Sequence, residues 1–213
     1  MQLQKQHPWS GCKTHKDITG CRFSLAIMCD DYVAKILNAL DHVDTSHIWK
    51  ETDLLSTTYR GHKTNVIDGV KALFIAANDG KTHMTLEATF SKGCPGDVKW
   101  DSPIKLAPVK RELANEKFDV NAKISFYPMG HLDYMDHIAH VINLAIKNNL
   151  YDQPSHYATL LHGDIHDLFN YFHEIFDYAD EHVKHFVFQI TLSINSPSLR
   201  RNESCYNKLK TGV

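Results

Sequence analysis

The chain has 213 residues, with 23 Lys+Arg against 25 Asp+Glu; this is enough for one large domain or two of about 100 residues, and the balanced charge leaves no basic field to hold a nucleic-acid backbone. No apolar run approaches the roughly 18 residues of a membrane span, and the opening stretch MQLQKQHPWSGC lacks the apolar segment of a secretory signal. Five cysteines, with no Cys-x-x-Cys pair among them, fit reduced thiols in a cytoplasmic protein better than a disulfide framework.

Residues 1–19 read as a polar arm. From Arg22 to Met28 the chain alternates, with Phe23, Leu25 and Ile27 on one face, the pattern of a half-buried strand. Asp30 or Asp31 can N-cap a helix, and Val33, Ile36, Leu37 and Leu40 then give one apolar stripe at helical spacing. Asp44-Thr45-Ser46 breaks that pattern. Ile48 to Thr52 and Leu54 to Arg60 read as two strands joined around Asp53, with Gly61 ending the second. Val66, Val70, Leu73, Phe74 and Ala77 mark another amphipathic helix, stopped by Asn78-Asp79-Gly80. His83 to Ser91 is a last strand, and the order is β-α-β-β-α-β.

Residues 92–119 carry Gly93, Pro95, Gly96, Pro103 and Pro108 and read as a connection, with a short helix near Arg111 to Phe118. The same order of elements then returns. Ser125 and Met129 follow Ser24 and Met28 by 101 residues. After one extra residue in the turn the offset becomes 102 and holds: Asp133 matches Asp31, Thr159 matches Thr57, Gly163 matches Gly61, Phe176 matches Phe74 and His185 matches His83. A constant register across several elements marks an internal duplication. The expected fold is therefore α+β: tandem ferredoxin-like βαββαβ repeats, over residues 20–97 and 120–198. Each is a four-stranded antiparallel sheet with two helices on one face. The other face must then be covered, by the second copy or across a dimer.

Several residues are candidates for a site. His162, His166, His182 and His185 are close in sequence, but zinc needs three or four converging ligands, and the first copy has Arg60 and Thr64 where His162 and His166 stand. No metal or cofactor is expected. Cys94 lies in Gly93-Cys94-Pro95-Gly96 with no identifiable base, and reads as a small side chain in a tight turn. There is no G-x-S-x-G, P-loop or G-x-G-x-x-G. Thr57 and Thr159 fall on the strand face that looks toward the helices. Each is either a strand filler bonded to a backbone carbonyl or a polar group in the wall of a pocket. The turns at Met28 and Met129 open toward a helix N-terminus and offer backbone N–H donors.

Beyond the pattern, several segments resemble the YkoF family of thiamin/hydroxymethylpyrimidine-binding proteins. In the first half these are Arg22-Phe23-Ser24-Leu25, Asp30-Asp31-Tyr32, Asp44-Thr45-Ser46, Ser56-Thr57 with Arg60-Gly61, and Phe90 to Asp97. In the second half, Tyr127-Pro128-Met129, Asp133-Tyr134-Met135, His156-Tyr157-Ala158 with Gly163-Asp164, and Asn195 to Ser198 fit as well. The resemblance implies a homodimer with one small-molecule pocket per repeat, a non-catalytic protein, and a part in uptake or salvage of the thiamin pyrimidine, with association with a precursor transporter. It also raises the pocket reading of Thr57 and Thr159, whose strands fit a Thr-x-x-x-Gly pattern of the broader thiamin-binding group.

The expected ligand residues are thus Thr57, Thr159, Met28, Met129, Asp31, Asp133, Ser56 and Tyr157. Asp31 or Asp133, or solvent, is expected to meet the cationic thiazolium. Ala26 stands where the second repeat has Tyr127, so the two pockets are expected to differ, through the pocket itself or through the open sheet face. Two other classes fit the same fold: an amino-acid-sensing regulatory module, and an enzyme with His83, Glu87 and His185 on the open sheet face.

Overall fold

A computed structural model of the chain describes residues 18–92, 113 and 115–198. Its elements run β1 (Ile18–Ile27), α1 (Tyr32–Asp41), β2 (Trp49–Thr52), β3 (Thr57–His62), α2 (Lys63–Ala77) and β4 (Met84–Lys92). The second set is β5 (Asp119–Pro128), α3 (Tyr134–Lys147), β6 (Tyr151–Ser155), β7 (Ala158–Asp164), α4 (Ile165–His182) and β8 (Phe186–Ile194). The duplicated β-α-β-β-α-β order is present. Cys94 and residues 111, 112 and 114 of the expected short helix lie outside the described residues, and 115–118 are irregular.

The strands form one eight-stranded sheet in the order β2-β3-β1-β4-β8-β5-β7-β6. Each half has the ferredoxin-like order, and the halves join edge to edge through nine antiparallel pairs from Met84↔Ile194 to Lys92↔Phe186. The alternation of each strand decides which side is buried. Met84, Leu86, Ala88 and Phe90 of β4 lie beside Ile194, Leu192, Ile190 and Phe188 of β8, and all eight are buried. Because these apolar residues share one side of the continuous sheet, the helices share it too. The repeats therefore do not cover each other's open faces; they stand side by side. The opposite side carries Arg22, Ser24, Thr85, Glu87, Thr89, Lys123, Ser125, Gln189 and Thr191, the polar alternation of a sheet with one solvated face.

Beneath α2 and α4 the core is aromatic. Phe176 meets Phe90 edge-on at 5.5 Å and Phe186 at 5.1 Å, and Phe172 meets Phe188 at 5.4 Å. Phe90 carries the contact from one repeat to the other, meeting Phe176 and, at 6.3 Å, Phe188, so a truncation such as Phe188→Ala would cost about 3–5 kcal/mol and loosen both. At the helix surface, Lys63 of α2 reaches Asp177 at 2.5 Å and Asp180 at 2.6 Å on α4, while His173 reaches Asp68 at 2.9 Å.

Local chemistry shifts some expected boundaries. Thr57 rather than Leu54 begins β3, because the Asp53 carboxylate accepts from the backbone N–H of Leu55 and Ser56 at 2.8 and 2.9 Å and turns the chain. Gly61 and Gly163 lie within β3 and β7; His62 and Asp164 cap the following helices, accepting from Thr64 N–H and His166 N–H. Asp31 and Asp133 occupy the N-cap positions of α1 and α3 but make no side-chain cap bond. On α1 the apolar stripe is only half covered: Ile36 and Leu40 pack on the core, while Val33 and Leu37 are exposed.

Candidate ligand-binding groove

In the second repeat α3 stands away from the sheet near its N-terminus and leaves a groove of about 630 Å³. The strand wall is β5, from Ile124 to Pro128; the helix wall is Tyr134, Met135, Ile138, Val141 and Ile142; the end is closed by the β6–β7 hairpin with Ser155, Tyr157, Ala158 and Thr159. Alternation along β7 sets the polar group: buried Leu161 and half-buried Thr159 share the side that faces the helices. Three tyrosines, Tyr127, Tyr134 and Tyr157, border the opening, and Tyr157 is 99% exposed at the hairpin tip with φ of 64°. Met135, also exposed, lies over the mouth. Clustered exposed apolar side chains at a concave site are a mark of ligand binding.

The first repeat supplies matching residues at these places: Phe23, Leu25, Tyr32, Val33, Ile36 and Thr57. It differs in its hairpin. Arg22 donates to Ser56 Oγ at 2.6 Å and pairs with Asp53, so that loop is braced against β1. The Asp53 carboxyl is held below its usual range, first by the N–H groups of Leu55 and Ser56 and then by the Arg22 charge. In the second repeat the counterparts are Lys123, Ser155 and Ala158, and the hairpin is tied by a longer bond from Ser125 Oγ to the Tyr157 carbonyl at 3.4 Å.

The residues singled out in the sequence are thus dispersed. Thr159 and Tyr157 line the groove, and Ser56 sits in the braced first hairpin. Met28 and Met129 have exposed side chains, and their N–H groups already donate to the carbonyls of His83 and His185 at 2.9 and 2.8 Å. Asp133 is not part of the groove lining; it faces His131 and His137. Asp31 accepts from the Cys29 thiol, which lowers its pKa, and lies 4.0 Å from the Lys35 ammonium. Tyr134 and Met135 of the groove carry the family resemblance but no pattern of their own beyond their position one turn before Ile138.

The other sequence candidates do not converge. His162 contacts Asn121 Oδ1 at 3.2 Å, whereas His166 contacts the Glu116 carbonyl at 3.0 Å. Glu87 pairs in register with Thr191; His83 lies beside Ser193 at one end of these strands, and His185 precedes β8 at the other. A second, smaller groove of about 370 Å³ opens on the polar sheet face, bordered by Glu87, Lys123, Tyr127, Tyr157 and Gln189. Tyr127 and Tyr157 border both grooves.

Comparison with known proteins agrees with this architecture. The profile described as "YKOF-related Family" matches residues 18–97 and again residues 119–199. A Bacillus subtilis (strain 168) protein named "Putative HMP/thiamine-binding protein YkoF" is 36% identical over 194 residues, covering 90% of this chain and 96% of its own. Among solved structures, an aspartate kinase of Clostridium acetobutylicum aligns over 78% of this chain and 33% of its own, with 12% identity and a TM-score of 0.19, too distant a superposition to bear on function. No helix among the described residues is long and apolar enough to cross a membrane.

Proposed function

The chain belongs to the YKOF-related family, and on that premise we propose that it is a non-catalytic binding protein for thiamin and its hydroxymethylpyrimidine moiety, with one pocket in each repeat. The observation that carries this reading is the groove between β5 and α3, apolar on two walls, with Thr159 and three tyrosines in its lining.

The aminopyrimidine is a flat ring with acceptor nitrogens and an exocyclic amine. Its faces suit a slot between Phe126, Ile138 and Met135. Its edge needs partners, since an unpaired buried polar atom costs about 1–3 kcal/mol. A threonine hydroxyl can donate to a ring nitrogen and accept from the amine. The thiazolium end is cationic. Tyrosine faces attract a cation by about 0.5–2 kcal/mol, so Tyr127, Tyr134 and Tyr157 suit that end better than Asp133, which lies outside the groove lining. In the first pocket Thr57, Tyr32 and Val33 would act in the same way.

The separation of His83, Glu87 and His185 supports binding over catalysis. The same reading places the protein in the cytoplasm, in precursor uptake or salvage, passing ligand to or from a precursor transporter. It also holds that two copies pair through the uncovered sheet face and the exposed hairpin residues Leu54 and Leu55. Equilibrium dialysis with thiamin, followed by mass analysis of the recovered ligand, tests the reading. Retention of intact thiamin is expected; a cleaved product would establish an enzyme instead, and no retention would overturn the ligand assignment.

A further inference from the structure

On the side of α3 that faces α4 lies a second cluster that the pyrimidine reading does not use. His131 Nδ1 is 3.3 Å from His137 Nε2, His131 Nδ1 is 3.6 Å from Asp133 Oδ1, and His137 Nε2 is 3.7 Å from Asp133 Oδ2. One donor atom from each residue lies within 4.8 Å of the others. An ion bonded to N and O donors at about 2.0–2.2 Å in tetrahedral geometry holds those donors about 3.3–3.6 Å apart. The two imidazole nitrogens already stand at that separation, and each lies within 3.7 Å of one oxygen of the same carboxylate.

We propose that His131, Asp133 and His137 form a binding site for a divalent transition-metal ion of the zinc type, with water in the remaining position. Two imidazoles and a carboxylate are borderline donors, suited to such ions and not to calcium or magnesium, which prefer an all-oxygen shell.

Three further observations support the assignment. First, His137 is oriented from behind. Its side chain is only 9% exposed, and its Nδ1 lies 2.7 Å from the Tyr178 hydroxyl of α4. With Nδ1–H donating to that oxygen, Nε2 turns its lone pair to the cluster, the outer-shell arrangement that fixes a ligating histidine. Second, Asp133 stands at the N-cap of α3 and makes no cap bond, so its carboxylate is not committed to the helix. Third, the turn is built differently here. Gly130, at φ of 78°, occupies a conformation that favours glycine, and the turn it opens carries one residue more than its counterpart and sets His131 against His137.

The first repeat makes an internal comparison. Counted from the helix, its corresponding residues are Cys29, Asp31 and Lys35. There the protein carries its own cation: the Lys35 ammonium lies 4.0 Å from Asp31 and 2.7 Å from Asp79. The second repeat replaces the ammonium with an imidazole lone pair and adds a second imidazole, which exchanges a fixed positive charge for a place to bind one. An ion held here would clamp the β5–α3 turn to α3, whose Tyr134, Met135 and Ile138 form the helix wall of the groove.

The test uses the full chain, stripped of metal, titrated with Co²⁺ by absorption and with Zn²⁺ by calorimetry. One ion per chain is expected, with ligand-field bands and no thiolate-to-cobalt charge-transfer band. His131→Gln, at a partly exposed position, should weaken binding at least about tenfold, and Tyr178→Phe should weaken it by a similar factor through the orientation of His137. His137→Lys, which restores the first repeat's arrangement, should abolish binding while the circular dichroism spectrum is retained. Absence of saturable binding in the micromolar range, thiolate bands, or uptake unchanged in His131→Gln would each overturn the site.

Discussion

The Thr57 hydroxyl lies 3.0 Å from the Thr52 hydroxyl across the β2–β3 hairpin, a pairing the second repeat cannot make, because Pro154 stands opposite Thr159. Proline is tolerated there because β6 is an edge strand. The substitution leaves the Thr159 hydroxyl without the neighbour that Thr57 has. Thr159→Val should therefore weaken hydroxymethylpyrimidine binding about tenfold or more, from the loss of a hydrogen bond worth 1–3 kcal/mol when left unmade. Thr57→Val should have a smaller effect, because the Thr52 hydroxyl remains in place. Calorimetric titration of both variants checks this; equal, unchanged affinities would make both threonines structural.

The hairpin tip separates the two ligands. Tyr157 is almost fully exposed, so Tyr157→Ala should leave the thermal midpoint within about a degree of the parent, as surface substitutions usually do. It should weaken thiamin, which carries the cation, by more than the uncharged pyrimidine, the difference being about 0.5–2 kcal/mol. A parallel loss for both ligands would place the tyrosine against the pyrimidine ring and not against the thiazolium.

Gly163 is fixed by packing. A Cβ at this position would run into Cδ2 of Leu150, which is itself buried. Gly163→Ala should destabilise by about 1–3 kcal/mol, the usual cost of overpacking. Urea unfolding measures it, and Leu150→Ala in the same chain should recover part of the coupling. An alanine variant as stable as the parent would mean that Leu150 moves aside freely.

Acid should loosen the first repeat through Asp79. The Lys35 ammonium, then the Thr82 hydroxyl and N–H, hold this carboxyl well below the usual carboxylate range. A depressed folded pKa means that the unfolded chain binds the proton more tightly. The stabilisation is therefore complete above the unfolded value of about 3.9 and is lost as pH falls below it toward the folded pKa. The melting temperature should drop below about pH 4, and Asp79→Asn should flatten that drop while lowering stability at neutral pH by about 1 kcal/mol. An identical acid profile in the variant would assign the drop to other carboxylates.

Much of this molecule was legible in the chain. The duplicated register fixed the element order, and period-two alternation identified the buried faces of β1 and β4. The edge pairing of β4 with β8 was not legible, because it rests on backbone hydrogen bonds whose register no side chain announces. That joint places all the helices on one side. The exposed Val33 and Leu37 read as part of one apolar stripe at helical spacing, since the period cannot tell a packed face from one left open. Capping by Asp30 or Asp31 was expected from residue type alone, yet the Asp31 carboxylate makes no cap bond and turns to Cys29 and Lys35, as Asp133 at the matching place turns to His131 and His137. The spacing of His162 and His166 looks ligand-like, whereas that of His131 and His137 does not stand out. The usable signal there was Asp133 and His137 four apart on one helical face, with the turn histidine brought in only by the conformation at Gly130.

The central claim is that this is a pyrimidine-binding protein, and isothermal titration of the purified chain with hydroxymethylpyrimidine, thiamin and a panel of amino acids tests it most directly. The account predicts saturable binding of both pyrimidine compounds near two per chain, around micromolar affinity (about −8 kcal/mol), and no response to amino acids. Heat from an amino acid, with none from either pyrimidine compound, would contradict it.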